Sequence, residues 1–310
     1  MTEPSVPQAF AAALDALIAQ VRKDKSILAA ILCGSLAHDT VWARSDIDLV
    51  LVTIDDRKIE VSGIPLNADG VNVHAMLMPR TAFRKAAEGA IHQSFMHSFL
   101  AKGRLIYTHD PTIADLCARL QARGSRDAAI EMLGAATHAL PSLYKARKWL
   151  LTRGDFAYTS LWLLFAAVPI ARMEVIGAGL LADREVVPQA ARLNPMLFKT
   201  IYTDLLHDGG AKTTAEKALL AAEAYMASRA PAVFAPVLDY LREVGDVRSS
   251  RDLDDHFEKN FGVPGITAAC EYLADLGLIG KASAPVLLTK RSNVSLEELA
   301  FFYTEPADGA

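Results

Sequence analysis

The sequence predicts an α+β protein in three parts: a mixed-sheet domain over residues 1–111, a helical bundle over 112–228, and helices with a hairpin over 229–310. Three observations lead there. Compact apolar runs of strand length alternate with helical patterns in the first part. Strand signals nearly vanish in the second, and short apolar runs return near the C-terminus.

At 310 residues, with 52% apolar and 22% charged residues, the chain can bury separate cores for two or three domains. A net charge of −4 argues against wholesale wrapping of nucleic acid. Cys33, Cys117 and Cys270 are far apart and form no C-x-x-C pair, which argues against a zinc site or a disulfide framework and fits a cytoplasmic protein. Residues 1–8 lack the basic start and apolar centre of a signal peptide. The most apolar window, residues 161–181, is interrupted by Pro169, Arg172 and Glu174, so it reads as a buried helix and no membrane partner is expected.

Taken in order, Phe10, Leu14, Leu17, Ile18 and Val21 form one face of a first helix. Residues 27–33 are a compact apolar run, a buried strand, and residues 47–53 (I-D-L-V-L-V-T) are the next strand. An edge strand is expected over 58–61 and a turn at Asn67-Ala68-Asp69-Gly70. A strand over 71–78 follows, then a helix that Pro79 opens and that runs to about residue 101. Residues 103–107 close the sheet. Helical faces follow over 113–123, 128–151, 158–176, 195–206 and 214–227. The last part predicts helices over 231–244, 250–260 (capped by Ser249 or Ser250) and 265–276. Two short strands at 278–281 and 286–288 and a final helix over 295–303 complete it.

Nucleotidyl transfer requires a triphosphate held in line with an acceptor hydroxyl, usually by two divalent ions. Magnesium prefers carboxylate and phosphate oxygens, so two or three carboxylates suffice on the protein side. Asp46 and Asp48 alternate on one face of their strand, with Ile47 and Leu49 on the opposite, buried face. Gly34 permits close backbone approach, and Ser35 adds a hydroxyl and an amide where the chain leaves the first strand.

Gly34-Ser35, ten intervening residues and then Asp46-Ile47-Asp48-Leu49 resemble the signature of the DNA polymerase β-like nucleotidyltransferases. Within that superfamily the chain is most similar to small bacterial members, such as kanamycin nucleotidyltransferase and the minimal nucleotidyltransferases. The likeness covers about the first 110 residues. It implies that Asp46 and Asp48 bind Mg²⁺, that Gly34 and Ser35 seat phosphates, and that a nucleoside monophosphate moves from an NTP to an acceptor hydroxyl. Arg44, just before Ser45-Asp46, is either a nucleotide-binding residue that neutralises phosphate charge or a solvated arginine. The acceptor could be a small molecule, a protein or RNA.

The departure from the family lies at its third carboxylate. The matching strand, Val71-Asn72-Val73-His74-Ala75-Met76, contains no acid. His74 is the first candidate for that position and Asn72 the second, with Asp69 in the adjacent turn a further substitute. His74 can complete the site or merely pack in a polar-lined cleft. The alternative to an enzyme is therefore a catalytically impaired nucleotidyltransferase-like regulator or interaction protein. Arg80, Arg84 and Lys85 at the start of the next helix are phosphate candidates or solvated cations, and the five-residue spacing of His92 and His97 is poor for one metal.

In such relatives a helical bundle forms the far wall of the cleft and often mediates pairing, which implies cleft roles for Lys145, Arg147, Lys148, Asp155 and Tyr158 and a homodimer. An ordinary basic helix surface is the other reading. Three helices and a hairpin near the C-terminus resemble a winged helix. Residues 229–310 nevertheless carry eight basic against thirteen acidic residues, and the presumptive recognition helix has Glu271 and Asp275 but no Lys or Arg. Phosphate neutralisation dominates affinity for duplex DNA, so packing or partner contact is the expected role.

Overall fold

Strand β1 (Ile27–Cys33) is buried from Leu28 onward, as a central strand covered on both faces must be. The computed structural model describes residues 5–34, 45–56, 60–88, 100, 103–121, 125–182, 185–289, 291, 294 and 296–304. The fold is α+β, and its contacts divide the chain into two units, Met1–Arg123 and Gly124–Ala310, where the sequence suggests three parts.

In the first unit β1 pairs with β2 (Ile47–Thr53), and β3 (Ser62–Ala68), β4 (Val71–Pro79) and β5 (Arg104–Thr108) complete a sheet of order β3-β4-β2-β1-β5. Only β2 and β4 run parallel, so the sheet is mixed. Helix α1 (Val6–Val21) lays Phe10, Ala13, Leu14, Ile18 and Val21 on the face formed by Ala30, Leu32, Ile47, Leu49, Leu51, Val73 and Ala75. Helix α2 (Arg80–Glu88) contacts β2 and β4 with Phe83 fully buried, and it also meets α3 (Pro111–Gln121). Burying Phe83 and the aliphatic residues of α1 at roughly 25 cal/mol per Å² supplies the drive that closes the sheet between helices.

The Asp69-Gly70 turn joins β3 to β4 with φ 48° and 83°, the positive pair that a type I′ hairpin demands, and Gly70 N donates to Asn67 Oδ1 at 3.1 Å. The edge strand is Ser62–Ala68; of the span 58–61 expected to form it, residues 58 and 59 lie outside the described residues. Its Ser-Gly-Ile-Pro-Leu-Asn sequence is exposed and lacks alternation, and Pro65 is tolerated because the strand lies at the sheet edge. Of the helix expected from Pro79 to about residue 101, Arg80–Glu88 is helical and residues 89–99 lie outside the described residues. Asp55 Oδ1 anchors its start, accepting from both Thr81 N and Thr81 Oγ at 2.8 Å.

The second unit begins with a helical hairpin, α4 (Ser125–Arg153) and α5 (Phe156–Gly177), turned by Gly154 at φ 61° and Asp155. Helix α5 is long and apolar enough to cross a membrane. Leu163, Ala166, Ala167, Ile170, Ala171 and Met173 are nevertheless buried in the core of this unit. A helix absent from the expectation, α6 (Val186–Leu193), precedes a stretch in which α7 (Pro195–Phe198), a π-turn at Lys199–Thr203 and α8 (Asp204–Asp208) run on as one irregular helix. The expected break before Pro231 is also displaced. Pro231 lies inside α9 (Lys212–Val233), and the chain bends at Phe234 before α10 (Ala235–Val244).

After β6 (Arg248–Ser249), Ser249 Oγ caps α11 (Ser250–Phe261) by accepting from Asp252 N at 3.2 Å, and α12 (Ile266–Asp275) follows. The two expected short strands form one continuous strand, β7 (Ile279–Val286). The expected final helix over 295–303 is instead strand β8 (Leu296–Tyr303), which pairs antiparallel with β7 from Val286↔Leu296 to Ile279↔Tyr303. Helix-forming Glu297, Glu298 and Ala300 yield to this ladder and to the burial of Phe301. With β6 the sheet order is β6-β8-β7. A single buried cluster runs from Ile130 on α4 to Ile279 and Phe301 on this sheet.

Candidate functional site

The first unit brings three of the expected site residues to one end of its sheet. Asp46 precedes β2 and Asp48 is its second residue, with Ile47 and Leu49 fully buried on the other face. The parallel register pairs Asp48 with His74 on β4. His74 Nδ1 stands 3.7 Å from Asp46 Oδ2 and 3.8 Å from Asp48 Oδ1. The side chains are 60%, 34% and 30% exposed for His74, Asp46 and Asp48, so a solute can reach all three. Both distances exceed hydrogen-bond length, so the ring faces both carboxylates without being fixed to either.

Gly34 shapes this end twice over. It takes φ +69°, a conformation that side chains rarely adopt, and a Cβ there would overlap Asp48 Oδ2. The Asp48 carboxylate therefore rests directly on the backbone where β1 ends. Cys33, paired with Asp48 across β1 and β2, is buried, and its thiol is pushed up to about 12 by burial first, then by the charge of Asp48 and by Cys117. It stays protonated and serves as wall rather than as nucleophile or metal ligand. These two contacts follow from the pairing of β1 with β2, for which the local sequence carries no signal.

Among the described residues, no group of three or more His, Cys, Asp and Glu is arranged to hold a metal ion. The donors that the described residues bring together here are two carboxylates and one imidazole. Two hard oxygen donors suit a Mg²⁺ that also takes phosphate oxygens and water.

Ser35, Arg44, His92 and His97 lie outside the described residues. Asn72 is exposed on β4 opposite Asn67, and Asp69 is spent on the hairpin turn. Arg80 Nη2 donates to Thr112 Oγ at 3.0 Å and pairs with Asp110 Oδ2 at 3.3 Å. In the second unit Lys145 and Lys148 are exposed on α4, whereas Arg147, Asp155 and Tyr158 have local partners. Arg147 Nε donates to Glu223 Oε1 at 2.6 Å, with Nη2 bonding the second oxygen, which ties α4 to α9. Asp155 Oδ1 caps α5 by accepting from Tyr158 N at 2.9 Å, and the Tyr158 ring lies edge-on to Trp149 and Trp162.

A nucleotidyltransferase-like protein from Exiguobacterium sibiricum has a crystal structure similar to this chain, with TM-score 0.60, 16% identity, and 96% of this chain and 99% of that one covered. The fold is nucleotidyltransferase-like. At that identity the likeness concerns the fold alone, and it extends over the sheet, the helices and the C-terminal strands. No protein-family model matches the sequence, and no curated protein is significantly similar to it.

Proposed function

We propose that the Asp46, Asp48 and His74 end of the sheet is the site of a nucleotidyl transfer, in which a nucleoside monophosphate passes from an NTP to an acceptor hydroxyl. The observation that carries this reading is the convergence of His74 Nδ1 on both carboxylates, at 3.7 and 3.8 Å, in a nucleotidyltransferase-like fold. Asp46 and Asp48 would hold one Mg²⁺. That ion, when bound, neutralises triphosphate charge and withdraws electrons from the phosphorus under attack. Gly34 gives the Asp48 carboxylate its place beside the phosphates, Ser35 supplies an amide and a hydroxyl, and Arg44 supplies positive charge.

His74 takes the place of the missing third acid. Its neutral imidazole accepts the acceptor's proton as the acceptor oxygen bonds the α-phosphorus and the bond to the departing pyrophosphate breaks. The direct test is titration calorimetry of Mg²⁺ with each NTP, followed by turnover of labelled NTP. Wild type should bind nucleotide only with the metal, and Asp48→Asn should weaken that binding at least about tenfold, roughly 1.4 kcal/mol. Metal-independent binding, or binding equal in the variant, would sink the assignment.

A second reading is favoured by one observation, the imidazole lying against both carboxylates where a third acid is lacking. There the protein binds nucleotide without transferring it and acts as a regulator or interaction protein. Labelled NTP decides between the two, because transfer to any acceptor removes the second. We further read α10–α12 with β7 and β8 as a winged-helix-like module whose acidic balance suits a protein partner, in a cytoplasmic homodimer. A salt-dependent shift of duplex DNA would overturn that part.

A further inference from the structure

The opposite end of the same strand carries a second concave site. Asp48 is the second residue of β2, whereas Asp55 lies just past its end. Seven residues of extended chain at about 3.3 Å each put the two roughly 20 Å apart. A cavity of about 440 Å³ opens there, lined by Asp55, Arg80, Thr81, Arg84, Thr112, Leu116 and Arg119. Such a volume lies within the range of small-ligand pockets.

Its construction is specific. Thr112, Leu116 and Arg119 sit at helical spacings of four and three on α3 and form one stripe of that helix. Arg80, Thr81 and Arg84 are a corresponding stripe on α2. Leu116 is buried at the base, whereas the arginines and threonines are exposed. Three guanidinium groups thus meet one carboxylate in the lining. That carboxylate, Asp55, already accepts two bonds from Thr81. Asp110, outside the lining, holds Arg80 in place together with Thr112.

Guanidinium forks match the oxygens of phosphate in number and geometry, and a threonine hydroxyl beside them can donate as well. We propose that this cavity binds a small anion bearing two or more phosphate groups, independently of the carboxylate site. The spacing of Arg80, Arg84 and Arg119 across two helices suits a ligand whose charge is spread over several oxygens rather than a single monoanion. Phosphate binding would clamp α2 to α3, adding to the Arg80 contacts with Thr112 and Asp110.

The test is calorimetric titration of the full chain with pyrophosphate in EDTA at low ionic strength, where a metal-dependent site is silent. Wild type should bind saturably. Arg84→Gln/Arg119→Gln should bind at least about tenfold more weakly, and Asp48→Asn should match wild type within about twofold. Absence of saturable binding by wild type, undiminished binding by the double variant, or loss in Asp48→Asn would each overturn the proposal. Should the double variant fail to fold, the single variants decide it: each should weaken binding about threefold, and Arg119→Lys should retain more affinity than Arg119→Gln. Equal affinities across that set would overturn it as well.

Discussion

Gly34 is the residue on which the geometry of the carboxylate pair rests most directly. Alanine there must adopt φ +69° and place its Cβ where Asp48 Oδ2 lies. The backbone strain costs about 1–3 kcal/mol, but the carboxylate is the end of a flexible side chain and yields first. Gly34→Ala should therefore lower the urea midpoint modestly and abolish metal-dependent nucleotide binding. Binding that survives in a folded Gly34→Ala protein would show that Asp48 need not stay where Gly34 leaves room for it. At this scale the sequence is partly readable. Strand alternation puts Asp46 and Asp48 on one face, and the family resemblance points to the strand of His74 as the one beside them. The 3.7 and 3.8 Å approach of a single ring nitrogen to both acids depends on the parallel register of β2 and β4, which no local pattern encodes. Arg119 and Asp55 come to line one cavity through the packing of α3 beside α2, so neither stands out in the sequence as a ligand contact.

Among the elements, those set by local chemistry were legible and those set by pairing were not. The Asp69-Gly70 hairpin, the amphipathic α1 and the Gly154-Asp155 turn each carry their own signal in a few residues. Strand β8 does not, because Glu297, Glu298 and Ala300 favour helix until β7 offers a ladder, and β3 is hidden by Gly63 and Pro65. Capping belongs to the legible class and can be measured. Ser249 is the last residue of β6 and the N-cap of α11, and its Oγ, largely buried, satisfies Asp252 N. Ser249→Ala leaves that amide without its acceptor and should cost about 1 kcal/mol, whereas Ser249→Asp, another good cap, should cost less. Thermal unfolding of the three proteins checks the order, and an alanine variant as stable as wild type would mean that solvent replaces the cap.

At the scale of the whole molecule, composition suggests separate cores for the helical bundle and the C-terminal segment, whereas the buried cluster of the second unit is continuous. It passes from Ile130, Leu133 and Leu140 on α4 through Leu163 and Ile170 on α5 and Phe234 at the bend to Leu253, Phe257, Ile266, Leu273 and Phe301. A cluster of this kind transmits loss at one end to the other, because cavities in close-packed interiors relax only in part. Phe301 on β8 is fully buried, and its removal should cost about 3–5 kcal/mol. Trp149 and Trp162 report on the α4–α5 hairpin, where both lie against Tyr158. In a Trp42→Phe background, Phe301→Ala should therefore shift the tryptophan transition in urea to lower denaturant by the same amount as the far-UV signal of the unit. Were the C-terminal strands and helices α10–α12 a separate domain, the tryptophan transition would stay where it is and only part of the helical signal would move. The continuity of the cluster argues for the first outcome: side chains from α4 and from β8 fill one interior, so neither end has an unfolding free energy of its own.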